Sequence, residues 1–159
     1  DSIPKYLGPH KDQGVGKGDV IYIAGGENGW PPPKSKLYLT EGEFDAKSLS
    51  NCGYYAGAIG GKAIEDKQIS LLQDYIPVLC FDTDSGKGKD AGGEALVIIG
   101  EQLREKGINE IYFVRPPKQY KDWNKFFQVH GRKLINAYIN QNEKPYTPDT
   151  KIELLMKGI

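Results

Sequence analysis

The sequence predicts an α/β protein whose central, mostly parallel sheet is flanked by helices. Three observations carry that expectation. From residue 36 onward, short apolar segments alternate with segments of helical spacing. The connections between them are short. The strand candidates are apolar almost throughout, as strands are when helices cover both faces of a parallel sheet.

The elements follow in order. Asp19–Ala24 (DVIYIA) reads as a strand between GVGKG and the proline- and glycine-rich loop GGENGWPPPK. Lys36–Thr40 (KLYLT) is a strand, and Phe44–Asn51 (FDAKSLSN) a short helix ending at Gly53. Tyr55–Ile59 (YAGAI) is the next strand, and Ile64–Asp74 has apolar residues at helical spacing. Pro77–Phe81 (PVLCF) is a strand, Asp90–Lys106 a long helix stopped by Gly107, and Glu110–Val114 (EIYFV) a further strand. Trp123–Gln141 is mostly helical, with a break near Gly131. The expected organisation is an irregular, basic N-terminal segment (1–33), an α/β core (34–120) and a C-terminal helical extension (121–159). No internal repeat or low-complexity tract interrupts it.

At 159 residues, the chain is long enough for one domain with its own core. Its 38% hydrophobic and 26% charged residues are ordinary for a globular protein. Lys plus Arg and Asp plus Glu balance at 21 each, so nucleic acid would have to be recruited by local patches. No apolar run reaches the roughly 18 residues of a membrane span, and no secretory leader pattern is visible. Cys52 and Cys80 lack metal-type spacing and read as reduced core residues of a cytoplasmic protein. The chain starts at Asp1 without Met and is expected to be a piece of a longer polypeptide.

Residues just past the strands carry the chemistry. Glu41 follows KLYLT, GGK follows YAGAI, Asp82 and Asp84 follow PVLCF, and RPP and then Asp122 follow EIYFV. Right-handed crossovers would bring the C-terminal ends of the strands to one edge, where α/β sheets bind ligands. If the Glu41 and Asp82 strands are neighbours, three carboxylates meet there. Clustered carboxylates repel, and a divalent ion with a preference for hard oxygen ligands relieves that repulsion. The D-x-D spacing suits this, because alternate side chains of an extended segment point the same way. In the following loop, Gly86 and Gly88 would let backbone N–H groups approach a phosphate, and Lys87 and Lys89 would add charge beside a helix N-terminus. The rival reading is a solvated acidic turn with a flexible loop.

Taken together, TxEGExDxxSL, a glycine-containing strand and hhhhFDxD before a helix resemble a TOPRIM domain, the Mg²⁺-binding, Rossmann-like α/β module of primases, topoisomerases and OLD-type nucleases. The likeness spans about Lys36 to Val114 and is strongest to primases and phage-type helicase–primases, where EGEFDA and the KDWNKFF-like stretch at Lys121–Phe127 have counterparts. PKYLGP, with Lys17-Gly18 before a strand, is similar to the basic segment that precedes a primase TOPRIM core. The resemblance implies that Glu41 ligates metal or acts as acid–base, and that Asp82 and Asp84 bind Mg²⁺ (Mn²⁺ as substitute) and the nucleoside triphosphate. It assigns Asp45 and Asp122 as further acidic positions, and Lys5 and Lys17 as contacts to template or nucleotide. Implied partners are single-stranded DNA, nucleoside triphosphates and a replicative helicase in cis or trans, with no membrane. One departure stands out. Ser85–Asp90 intervenes between D-x-D and Ala91-Gly92, where primases pass almost directly to A-G.

The activity so implied is Mg²⁺-dependent primer synthesis in DNA replication. It is expected to be weak or lost in these residues alone, since a primase also needs a zinc-binding module and a basic subdomain. Alternatives are TOPRIM-type DNA cleavage, a haloacid-dehalogenase-like phosphatase with its nucleophile in D-x-D, and a module that binds DNA or a partner without turnover. Plainer roles stand beside the sharp ones. Glu43 is a solvated neighbour of the site or a substitute ligand. Asp45 caps its own helix or supports the metal. His10 and His130 are surface residues. Neither GVGKG nor Gly61-Lys62 completes a P-loop. Trp123, Phe126 and Phe127 pack helices, and Tyr112 and Phe113 belong to the fourth strand's core.

Overall fold

Residues 5–8, 16–25, 29–83 and 90–157 are described by the computed structural model. The strands are β1 (Lys5–Leu7), β2 (Ile21–Ile23), β3 (Lys36–Thr40), β4 (Ala56–Ala58), β5 (Ile76–Leu79), β6 (Tyr112–Phe113) and β7 (Lys144–Pro145). The helices are α1 (Glu43–Asn51), α2 (Asp66–Leu71), α3 (Ala91–Glu105), α4 (Trp123–His130), α5 (Arg132–Asn142) and α6 (Pro148–Lys157). Within the described residues these strands form one sheet in the order β1-β2-β4-β3-β5-β6-β7.

The four central strands β4, β3, β5 and β6 are parallel, as their apolar runs predict. Leu39 lies opposite Leu79 and Tyr38 opposite Val78, so β3 and β5 are direct neighbours. The antiparallel pair β1–β2 closes one edge and β7 the other. The strand ends therefore do not all share one edge: β2 runs against β4. Its connection to β3 is the proline-rich loop, and without a crossover helix to carry the chain back, the next strand in the sheet runs the other way.

Alternation along β3 and β5 sorts the core into two layers. Leu37, Leu39, Leu79 and Phe81 face α2 and α3, with Leu96, Ile99 and Leu103 filling that side. Tyr38, Val78 and Cys80 face α1, α4 and α5, where Leu49, Trp123, Phe126, Ile135 and Ile139 are buried. Each fully buried Leu or Ile here contributes about 2–3 kcal/mol. Both cysteines are buried and reduced, as expected.

Boundaries shift where local geometry overrides the pattern. The expected helix over Ile64–Asp74 is α2 followed by a 3-10 turn, Leu72–Asp74. The break near Gly131 separates α4 from α5, and Gly131 has φ 77°, a left-handed value that favours glycine. Strands β1 and β7 have no counterpart in the sequence reading, because two- and three-residue strands carry no readable period, while α6 falls within the expected C-terminal helical extension. Among the described residues, no helix is long and apolar enough to cross a membrane.

Candidate active site

Glu41 follows the last residue of β3, and Asp82 stands three residues past β5 on the neighbouring strand. The ladder continues beyond both strands. Cys80 N–H donates to the Leu39 carbonyl at 2.8 Å, and Gly60 N–H donates to the Glu41 carbonyl at 2.9 Å. The GGK loop after β4 therefore borders Glu41 on one side, and the end of β5 borders it on the other.

The middle residue of D-T-D orients the first. Thr83 is 7% exposed, and its N–H donates to the Lys121 carbonyl at 2.9 Å. Its hydroxyl lies 3.2 Å from the Pro116 carbonyl and 3.3 Å from that of Lys121. Thr83 is thus anchored in the loop before α4, which fixes the chain immediately after Asp82.

Each residue of the K-D-W-N stretch has a physical role. Lys121 supplies the carbonyl that receives Thr83. Asp122 caps α4, accepting from Lys125 N–H at 2.7 Å. Trp123 is fully buried and donates Nε1–H to the Cys80 carbonyl at 3.1 Å, so it packs the core and stacks no base. Asn124 N–H donates to Asp45 Oδ1 at 2.9 Å, while its Oδ1 accepts from Ser48 Oγ at 3.2 Å. Asp45 therefore does not cap its own helix. Gly42 stands at the α1 N-cap, and Asp45 reaches across to a free N–H in the first turn of α4.

Asp45 and Asp82 interact across this packing, and the charges of Glu41 and Asp122 reach them. Burial pushes Asp45 up to about 7, and the charges of Asp82 and Asp122 act in the same direction, against the Asn124 hydrogen bond. Burial also pushes Asp82 up to about 6, with the Glu41 and Asp122 charges adding to it; the Asp45 hydrogen bond and the Lys62 charge oppose it. Asp45 and Asp82 interact directly, and both carboxyls stand above the ordinary carboxylate range, chiefly because they are buried.

Among the described residues, no three His, Cys, Asp or Glu side chains are grouped as a ready metal centre. The donor set fits a hard divalent ion nonetheless. Mg²⁺ keeps several waters and is usually held by one or two carboxylates with substrate phosphates, and a cation would relieve the repulsion that the Glu41 and Asp122 charges exert on Asp82. Asp84, Gly86, Lys87, Gly88 and Lys89 lie outside the described residues. Lys5 lies in β1 and Lys17 opens a 3-10 turn before β2, on the edge pair of the sheet.

Three features at the site escaped sequence reasoning. Lys62, set aside as part of an incomplete P-loop, lies near enough to lower Asp82. Arg115 forms a two-pronged ion pair with Asp90 at 2.6 and 2.8 Å, holding Asp90 below the usual carboxylate range. The glycines of DAGG serve packing: a Cβ on Gly92 would lie 2.0 Å from the Asp82 carbonyl oxygen, and one on Gly93 would lie 2.3 Å from Asp90 Oδ2. A glycine pair after an aspartate was the one available signal.

Comparison with known proteins bears on the family and the fold. The chain is 25% identical over 114 residues to a DNA primase of Mycoplasma genitalium and 29% identical over 109 residues to that of Mycoplasma pneumoniae. These matches cover 69% and 64% of this chain but only 18% and 17% of those primases, so the chain spans under a fifth of its curated relatives. Among solved structures, the DnaG catalytic core superposes with a TM-score of 0.63 at 22% identity, covering 92% of this chain and 51% of that one. The Aquifex aeolicus primase superposes at 0.55 with 27% identity, covering 69% of this chain and 26% of that one. The sequence model of the Toprim-like family matches residues 38–127, from within β3 to within α4 and so including Glu41, Asp45, Asp82 and Asp122, and the chain belongs to that family.

Proposed function

We propose that this chain is the TOPRIM core of a DNA primase-like nucleotidyltransferase, which synthesises RNA primers on single-stranded DNA. The observation that carries it is that the charges of Glu41 and Asp122 reach the buried pair Asp45 and Asp82, both of which are raised chiefly by burial. In this reading residues 34–120 carry the chemistry, with 1–33 and 121–159 as flanking segments.

Glu41 and Asp82, with Asp84, would hold Mg²⁺ or Mn²⁺, and Asp45 and Asp122 would support them. The ion, when bound, supplies positive charge that orients the attacking oxygen and neutralises the leaving pyrophosphate. Asp45 keeps Asp82 in register by bonding both to it and to the start of α4. Lys62 offers a cation at the rim for a triphosphate, as do Lys87 and Lys89 in the same reading. Phe44 is 74% exposed beside Glu43, with the Lys47 ammonium 5.9 Å from its ring. An exposed aromatic next to a cation suits contact with an unpaired base and its phosphate. Lys5 and Lys17 would add template contacts, and a replicative helicase in cis or trans would deliver the template. The adjacency of β3 and β5 gives Glu41 a role that a haloacid-dehalogenase-like phosphatase would leave it without.

The test is template-dependent oligonucleotide synthesis by the full-length protein that carries this chain, with nucleoside triphosphates and Mg²⁺. Asp82→Asn is expected to abolish it. Synthesis that survives the substitution rejects the assignment, and cleavage of DNA without synthesis reassigns the chemistry of the same acids.

A further inference from the structure

Arg115 is the second residue past β6, and its guanidinium reaches both flanks of the D-x-D loop. Nη1 donates to Asp90 Oδ2 at 2.8 Å and Nη2 to Asp90 Oδ1 at 2.6 Å. Nη2 also donates to the main-chain oxygen of Asp82 at 2.6 Å. Only 16% of the side chain is exposed. The Arg115 carbonyl accepts from Tyr138 Oη at 2.6 Å, which ties this backbone to α5. Asp90 accepts in addition from Gly93 N–H at 3.0 Å, as the N-cap of α3.

Asp82 lies beyond the last paired residue of β5, where the sheet no longer dictates its orientation. Both polar groups of the Asp82–Thr83 peptide are held, the carbonyl by Arg115 and the N–H by the Lys121 carbonyl. The packing leaves no slack. A Cβ on Gly92 would come within 2.0 Å of that carbonyl oxygen and 3.1 Å of Arg115 Nη2.

We propose that Arg115 is a positioning residue for the acidic site: it aims the Asp82 carboxylate by gripping the Asp82 carbonyl, and Asp90 serves as the counter-ion that fixes the guanidinium fork. The planar fork matters, because one guanidinium satisfies a bidentate carboxylate and a carbonyl at once. This inference rests on the reading of Asp82 as a metal-binding carboxylate.

Its sign separates it from plain electrostatics. A positive charge near a cation site repels the cation, so deleting it should tighten binding, the more so as the Asp90 charge is released. A positioning residue predicts the reverse, since supports of metal-binding side chains typically cost about 10–100-fold in affinity when removed. The experiment titrates Mn²⁺ alone into the 159-residue chain and counts free ion by electron paramagnetic resonance. Circular dichroism checks that each variant is folded. Arg115→Met is expected to bind Mn²⁺ roughly tenfold or more weakly than wild type. Equal or tighter binding by folded Arg115→Met overturns the proposal. If Arg115→Met does not fold, Arg115→Lys decides, because it keeps the charge and loses the fork: weaker binding supports the role and wild-type affinity overturns it. A wild-type chain that takes up no Mn²⁺ refutes the metal-site reading itself, which is a different failure.

Discussion

Asp45→Asn is expected to stabilise the metal-free protein above neutral pH, although it alters a residue of the acidic site. Asp45 is 9% exposed, and its carboxyl is lifted from the ordinary 3.8 to about 7, chiefly by burial. A carboxyl raised on folding binds its proton more tightly in the native state. Its contribution is therefore fully present below the unfolded value and is lost as pH rises through the folded value near 7. At about 1.4 kcal/mol per decade of proton affinity, the lift sets a ceiling of about 4 kcal/mol. Asp82 interacts directly with Asp45 and is partly open to water, which brings the expected penalty at pH 8 to about 2 kcal/mol. Asparagine mimics the protonated acid: its Oδ1 can accept from Asn124 N–H while its amide donates to Asp82. Thermal unfolding in a chelating buffer should show wild type losing about 4–8 °C more than the variant between roughly pH 4 and 8.5. Added Mg²⁺ should narrow the gap, because a bound cation offsets the same repulsion. A wild type equally stable at both pH values, or a variant less stable than wild type at the higher one, would refute the reasoning.

Two further substitutions probe the frame around the acids. Gly92→Ala should cost about 3 kcal/mol in urea unfolding, because the new methyl would meet the Asp82 carbonyl oxygen at 2.0 Å and main chain cannot swing aside; a loss under about 0.5 kcal/mol would show the close approach to be incidental. Trp123→Phe should cost about 2–3 kcal/mol by removing buried ring volume and leaving the Cys80 carbonyl without its indole donor, again read from urea midpoints. An unchanged midpoint would mean that Trp123 does not hold α4 to β5.

The strand ends were legible because their chemistry is written in short, contiguous words. EGEFD and FDTD each end an apolar run, and parallel neighbours carry both ends to one edge. Asp45 was harder to read. An acid in the first turn of a helix ordinarily caps it, and only the packing of α1 against α4 shows that it serves the next helix but several instead. Lys62 was dismissed on a motif test that asks about neighbours in sequence, whereas its charge acts on Asp82 through space. Arg115 and Asp90 lie 25 positions apart, and nothing local marks either as the other's partner. The glycines after Asp90 carry no readable role in the sequence; the close approach of Gly92 to the Asp82 carbonyl assigns it, with Gly93, to packing.

Periodicity along the chain, by itself, determined the alternation of strands and helices, the parallel centre of the sheet and the acidic character of its edge. Those properties follow from local spacing of apolar and charged side chains, which any reader of the linear order can see. Tertiary structure alone decided which acids interact, which arginine grips the end of β5, and that β2 runs against its neighbour. Such features depend on distances between segments remote in sequence, and Coulomb forces, burial and hydrogen bonds respond to those distances rather than to residue order.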